Sequence, residues 1–208
     1  MKPIDGRLLR KAQTCDNIVI ANHAGVMMID EKNEILKTYD KKGRFLHYVD
    51  RKTVHDELLP HNEIALWIIN PTNKCVLLEK RSASKRLNPS KWSLCAGHVI
   101  GDDSLATALR KEAYEELGIS IDNYHPIKIA RVIRNEYCNY SFFHHYCIVA
   151  DVDIRDLTLQ QEEVEDVAYF DYYQLKNRIK NGDETFALIW NDTYKTVMDK
   201  IDKIIGAL

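Results

Sequence analysis

The chain reads as an α/β protein with a mixed β-sheet lying between helices, and three observations predict this. Apolar, β-branched runs of strand length recur between residues 25 and 170. Segments with helical spacing interrupt and follow those runs. No repeat and no Pro/Gly-rich linker divides the 208 residues, which suffice for one domain with a full core.

Taken in order, Leu8 to Ala12 is predicted to begin a short helix, and Gly25 to Asp30 to form a strand ended by the polar run Asp30 to Asn33. Phe45 to Val49 is a second strand. Ile64 to Ile69 and Cys75 to Leu78 flank Asn70-Pro-Thr-Asn73, which is the turn chemistry of a hairpin. Trp92 to Ala96 leads into a loop and then a helix. Ile127 to Ile133, Phe142 to Val152 and Val167 to Phe170 are further strands, and Tyr172 to Lys180 and Trp190 to Ile205 are helices. Residues 1–60 are expected to form an N-terminal extension that packs on or completes the core sheet, or makes a homodimer contact; residues 61–208 form the main domain.

Composition narrows the partners. A net charge of −2, from 29 basic and 31 acidic residues mixed along the chain, argues against a nucleic-acid polymer and against a polybasic membrane contact. A small anionic substrate needs only a local basic cluster, and Lys80-Arg81, Lys85-Arg86 and Lys91 supply one. Cys15, Cys75, Cys95, Cys138 and Cys147 are odd in number and form no Cys-x-x-Cys pair, the pattern of a reduced, cytoplasmic protein. No apolar run reaches membrane-spanning length.

The most informative stretch runs from Gly97 to Ile119. Asp102, Asp103 and Ser104 are N-cap candidates, and Gly118 stands where a C-terminal cap belongs. At about 100° per residue, Glu112 and Glu116 fall within roughly 20° of Leu105, on the half of the helix that carries Ala108, Leu109, Ala113 and Leu117. Glu115 lies at the edge of that half, and Thr107, Arg110, Lys111 and Tyr114 fill the other. Carboxylates held against apolar neighbours need a neutralising cation. A hard divalent ion is the simplest, because Mg²⁺ and Mn²⁺ prefer oxygen ligands.

These residues resemble the Nudix box, matching it at Gly97, Glu112, Ala113, Glu115, Glu116, Gly118 and Ile119. Asp103 and Lys111 stand where the box has Glu and Arg, so a supporting ion pair keeps its charges. The resemblance implies an α/β/α sandwich and Mg²⁺- or Mn²⁺-dependent hydrolysis of a diphosphate linkage in a nucleoside diphosphate derivative or related small molecule. It makes Glu112 and Glu116 the principal metal ligands, Glu115 a ligand for a second ion or its water, and the Gly97 carbonyl a completing donor. The general base is a box Glu or one from a later loop, which Gln160-Gln-Glu162-Glu163-Val164 resembles; Glu163 is the choice, with Glu162 behind it. Arg81 and Lys85 are placed on the substrate phosphates.

Segments outside the box are similar to the isopentenyl diphosphate isomerase branch of the family: His61 before Trp67, Arg81 and Lys85 before Pro89 and Trp92, the Gly97-His98 pair, and Glu136-Tyr-Cys138. In the isomerases the matching histidines and late Glu bind a metal, and the matching Arg and Lys hold the diphosphate. His55 lies near a further ligand position, one residue short in its spacing to His61. Two departures weigh against isomerisation. Ala96 replaces the catalytic Cys, and Cys95, one position earlier, is expected to turn away from the chemistry. Arg134 replaces a carboxylate two positions before Glu136; both are placed with the substrate, Arg134 as a second phosphate clamp. With a cation at 134, His55, His61 and His98 read first as structural, a secondary metal site being the alternative. An isomerase-like enzyme and a non-catalytic ligand-binding module remain the alternative functions.

Overall fold

The computed structural model describes residues 34–136 and 139–208 and, of Glu136, the backbone alone. The helix expected from Leu8 and the strand expected from Gly25 lie outside the described residues. A hairpin of β1 (Ile35–Tyr39) and β2 (Phe45–Asp50) leads through a short helix, α1 (Arg51–Asp56), to the central strand β3 (His61–Ile69). Asp50 ends the hairpin and caps the helix, accepting the Thr53 amide on its side chain. Neither β1 nor α1 is apparent in the sequence, because five and six residues are too few to display a period.

From β3 the chain turns on Asn70, whose Oδ1 accepts the Thr72 and Asn73 amides, into β4 (Cys75–Arg81). There follow β5 (Trp92–Ser93), β6 (Cys95–His98), α2 (Leu105–Leu117), β7 (Ile127–Glu136), β8 (Asn139–Val149), β9 (Val164–Asp171), α3 (Tyr172–Lys180) and α4 (Asp192–Ala207).

The sheet is mixed, as predicted. β3 runs parallel to β8 from His61↔Ser141 to Ile69↔Val149. Its other edge is divided: β6 pairs antiparallel with residues 63–66, and β4 takes Ile68 and Ile69. β7 lies antiparallel on β8, β9 on β4, and β1 meets β3 at Thr38↔His61. The unbroken apolar run of β3 follows from cover on both faces. Ala65, Trp67 and Ile69 pack with Leu175, Ile179, Val197 and Ile201 of α3 and α4, whereas Ile64, Leu66 and Ile68 pack with Ala108, Leu109, Ala113 and Leu117 of α2. The strand period of two thus separates an α2 face from an α3/α4 face, and the molecule is an α/β/α sandwich. No described helix is long and apolar enough to cross a membrane.

Candidate active site

The α2 helix is closed at both ends by its own sequence. Ser104 Oγ accepts the Thr107 amide at 3.0 Å, and Gly118, at φ 69°, turns the chain so that its amide reaches Tyr114 O and that of Ile119 reaches Ala113 O. Lys111 Nζ meets Asp103 Oδ2 at 2.7 Å, so the charge-conserving replacements still join the loop to the helix. Glu116 is buried, Glu112 half-buried and Glu115 exposed, in the order that the helical spacing predicts.

Gly97 lies on β6 opposite Ile64, facing α2. A Cβ there would stand 2.2 Å from both Cδ and Oε1 of Glu112, so only glycine lets this carboxylate rest against the strand. One turn further along the helix, Glu116 meets two residues from the sheet, Glu79 of β4 and Cys95 of β6. The three are 5%, 3% and 3% exposed, and their ligating atoms all lie within 4.8 Å of one another. Burial raises the Glu116 carboxyl to about 7. Burial, and then the Glu116 charge, lifts Glu79 well above the usual carboxylate range, and the Cys95 thiol rises for the same two reasons. Oε2 of Glu79 and Oε2 of Glu116 have no hydrogen-bond partner. Buried carboxylate oxygens left without donors fit a hard divalent cation.

Cys95 corrects an expectation. Alternation does set it opposite to Ala96, but it is Cys95 that faces the carboxylates, while Ala96 packs toward α3 and α4. Glu79 escaped the sequence reading although its signal was present: in β4 the residues Leu77, Glu79 and Arg81 share one strand face, so a carboxylate follows a core leucine.

The loop before β9 comes to the same face. Gln160 N donates to Glu116 O at 3.2 Å and Ser82 N to Glu163 O at 2.8 Å, which fastens this loop to the end of α2 and to the basic loop after β4. Glu163 is close enough for its charge to raise Glu116, and its carboxylate is ion-paired with Lys85. Arg81 projects from β4 on the α2 face, where its charge favours ionisation of Glu79 and Glu116, and its Nε donates to Leu87 O at 3.2 Å. Gly97, Glu112, Glu116, Glu163, Lys85 and Arg81 are therefore brought together, with Glu115 at the exposed rim.

Arg134 is not among them. It belongs to the α3/α4 face, where its guanidinium gives two hydrogen bonds of 2.7 and 2.6 Å to Glu63 and lies 4.6 Å from the centre of the Phe143 ring. Strand register puts Arg134 opposite Ser141, on the side of the sheet away from α2. Glu136 closes β7 opposite Asn139. Arg134, with His98, His61 and Ser141, offsets the burial of Glu63 and holds it at about 2.

Beside Glu63 the structure gathers the three histidines that the sequence left apart. His55 ends α1, His61 opens β3 and His98 ends β6; their ring centres are 5.1–5.2 Å apart and their ligating nitrogens lie within 4.8 Å. Burial lowers the pKa of all three, His55 to about 4, leaving the neutral imidazoles that ligate metals. This is a second group able to hold an ion, back to back with the first. His144 and His145 divide between the faces as expected, one bonded to Asn62 and the other to Trp67.

The family model for the NUDIX domain matches residues 59–188. The chain is 28% identical over 145 residues to Nudix hydrolase 3 of Arabidopsis thaliana, covering 65% of this chain and 19% of the plant protein. It is 29% identical over 154 residues to an uncharacterised Nudix hydrolase of Listeria innocua, covering 74% and 87%. It is also 31% identical over 94 residues to an isopentenyl-diphosphate Delta-isomerase of Corynebacterium glutamicum, covering 44% and 49%. The chain thus spans about a fifth of the plant protein and about half of the isomerase. A crystal structure from Deinococcus radiodurans superposes with a TM-score of 0.63 at 20% identity, over 80% of this chain and 98% of that one. With its loop–helix unit at the centre of a sandwich shared with such structures, this chain belongs to the Nudix family, in the branch that resembles isopentenyl diphosphate isomerases.

Proposed function

We propose that the protein is a divalent-cation-dependent hydrolase of a diphosphate linkage in a nucleoside diphosphate derivative or related small molecule. The observation that carries this reading is the seating of Glu112 against Gly97 and the burial of Glu116 with an unpartnered carboxylate oxygen. Glu112, Glu116 and the Gly97 carbonyl would hold Mg²⁺ or Mn²⁺, and Glu115 serves the open rim. When bound, such an ion would supply charge neutralisation at the phosphoryl oxygens and lower the pKa of an attacking water. Arg81 offers bidentate contacts to phosphate oxygens, and Lys85 a mobile charge. Glu163, beside Glu116 and held by Lys85, accepts the proton of the attacking water. A phosphate arriving at Lys85 competes with Glu163 for the ammonium, so substrate binding releases the base.

The back-to-back arrangement supports hydrolysis over isomerisation. Acid–base work across an allylic system needs proton donors on both sides of the substrate. On the histidine face the residue beside Gly97 is Ala96, and the thiol of Cys95 is on the opposite side of the sheet.

The test is a panel of nucleoside diphosphates and triphosphates, sugar nucleotides, dinucleotide cofactors and prenyl diphosphates with Mg²⁺ or Mn²⁺, reading released phosphate. Glu116→Gln should remove most activity with an unchanged circular dichroism spectrum, and Glu112→Gln should behave similarly. Near-wild-type release by Glu116→Gln at saturating Mg²⁺ would reject this site. Conversion of isopentenyl to dimethylallyl diphosphate without phosphate release would select the isomerase.

A further inference from the structure

Glu79 and Cys95 have no place in the Nudix box, yet a ligand atom of each lies within 4.8 Å of one on Glu116. Glu79 comes from β4, Cys95 from β6 and Glu116 from α2, three elements that tertiary contact alone brings to one point. Each is at most 5% exposed, and the two carboxylates each keep one oxygen without a hydrogen-bond partner. The facing charges do not balance them. Among the described residues, Arg81 is the cation whose charge acts on both carboxylates, while Glu112 and Glu163 add further carboxylates, and Lys85 is engaged by Glu163. Protonation and the hydrogen bonds of Glu116 with Cys95 and Glu79 offset part of the cost of burying three acids, but the two orphaned oxygens remain, and a shared cation would supply what they lack. Donors on one ion lie within about 4–4.6 Å of each other, twice a metal–oxygen or metal–sulfur bond. The observed limit of 4.8 Å needs only a small adjustment to meet this.

We infer that Glu79 and Cys95, with Glu116, form a mixed oxygen–sulfur site for a divalent cation softer than Mg²⁺, such as Mn²⁺, Co²⁺ or Zn²⁺, which it takes in preference to Mg²⁺. The inference rests on the reading of Glu116 as a metal ligand and adds to it two ligands and a selectivity. Two carboxylates alone suit hard Mg²⁺; a sulfur donor shifts the preference to softer ions, and each ion bound displaces to solvent the thiol proton and the proton held by the carboxyl pair. Cys95 then has a role that a buried apolar side chain would not explain: its sulfur lies beside the carboxyl groups of Glu79 and Glu116 although apolar partners surround it.

The experiment is an anaerobic titration of the full, reduced chain with Co²⁺, followed by absorption, and with Mn²⁺ and Mg²⁺, followed by calorimetry. The expected wild-type result is a near-ultraviolet thiolate-to-cobalt charge-transfer band that saturates together with the visible ligand-field bands. Cys95→Ser should abolish the ultraviolet band and keep the visible ones, Cys147→Ser should keep both, and Glu79→Gln should weaken Co²⁺ and Mn²⁺ binding at least tenfold. Mn²⁺ should bind at least tenfold more tightly than Mg²⁺ to wild type, and Cys95→Ser should narrow that ratio. Visible bands in wild type without the ultraviolet band would overturn the sulfur ligand whether or not any variant folds. Unchanged affinities in Glu79→Gln would overturn the second carboxylate. Either failure leaves the hydrolase reading standing if Glu116→Gln still loses Co²⁺ and phosphate release, whereas an intact ultraviolet band with no diphosphate cleaved upholds this site and rejects that reading.

Discussion

Gly97→Ala separates the positioning of Glu112 from the stability of the fold. The added methyl group would lie 2.2 Å from Glu112 Cδ and 2.2 Å from Oε1. Carbon–carbon contacts settle near 3.5–4.0 Å, so the carboxylate must retreat by about 1.3 Å or more. Gly97 is not among the glycines of positive φ, so alanine brings no backbone strain. The obstructed group is the end of a flexible side chain on a half-buried residue, and the fold should lose only about 1 kcal/mol, the low end of overpacking. Displacing a catalytic group by about 1 Å can lower a rate by roughly a hundredfold. The expected result is therefore a kcat/KM about a hundredfold lower, a weaker Mn²⁺ affinity and a Tm shifted by a few degrees. The assay is a double-mutant cycle with Glu112→Gln, with phosphate release and Mn²⁺ calorimetry as readouts. If the methyl group acts through Glu112, Gly97→Ala should change little in the Glu112→Gln background. Additive losses, or an unchanged Mn²⁺ affinity in the single variant, would refute the reasoning.

The other predictions concern the cap, the clamp and the buried acids. Gly118→Ala places a Cβ 2.9 Å from Thr158 Cβ at a φ of +69°, and urea unfolding should show a loss of about 2–4 kcal/mol from the combined left-handed penalty and clash; a loss under 0.5 kcal/mol would mean that the helix end relaxes freely. Arg81→Ala should lower kcat/KM by one to two orders of magnitude, the range of one charge-assisted bond of about 1.5–3 kcal/mol. Unchanged steady-state kinetics at low and high salt would remove Arg81 from the substrate. In metal-free protein Glu116 titrates near 7 instead of 4.5, so the folded state binds the extra proton between those values and stability falls as pH rises through that window. Glu116→Gln should flatten that slope in urea denaturation with chelator present, and wild-type and variant slopes that coincide would refute the shift. His55 has the opposite sign: its pKa falls from 6.5 to about 4, so its contribution is present above 6.5 and lost as pH drops toward 4. His55→Gln should reduce, in urea denaturation between pH 6.5 and 4, an acid-side loss that His61 and His98 share, and an unchanged slope would refute the His55 shift.

The amino-acid sequence by itself determined the α2 unit, since everything that builds it is local. Ser104 and Gly118 cap the ends, Asp103 and Lys111 stay within salt-bridge reach across two turns, and the spacing of Glu112, Glu115 and Glu116 sets their order of burial. It also determined α3 and α4 and the β3–β4 hairpin, whose periods and turn residues are unambiguous. The short elements β1 and α1 were invisible to it, because propensity over five or six residues is weaker than the tertiary contacts that select their conformation. Tertiary structure alone decided which side of the sheet each polar strand residue serves. Alternation says that Cys95 and Ala96 oppose each other, but only the packing of α2 against Leu66 and Leu77 makes the Cys95 side the carboxylate side. The same holds for Arg134, which has the charge of a phosphate clamp and is bound to Glu63, 71 positions away, on the other face. His55, His61 and His98 converge because α1, β3 and β6 end at one corner, and Glu79 reaches Glu116 because β4 and α2 cover the same strand. Side-chain chemistry and local spacing are written along the chain; which groups become neighbours depends on strand register and helix packing, which join residues far apart in sequence.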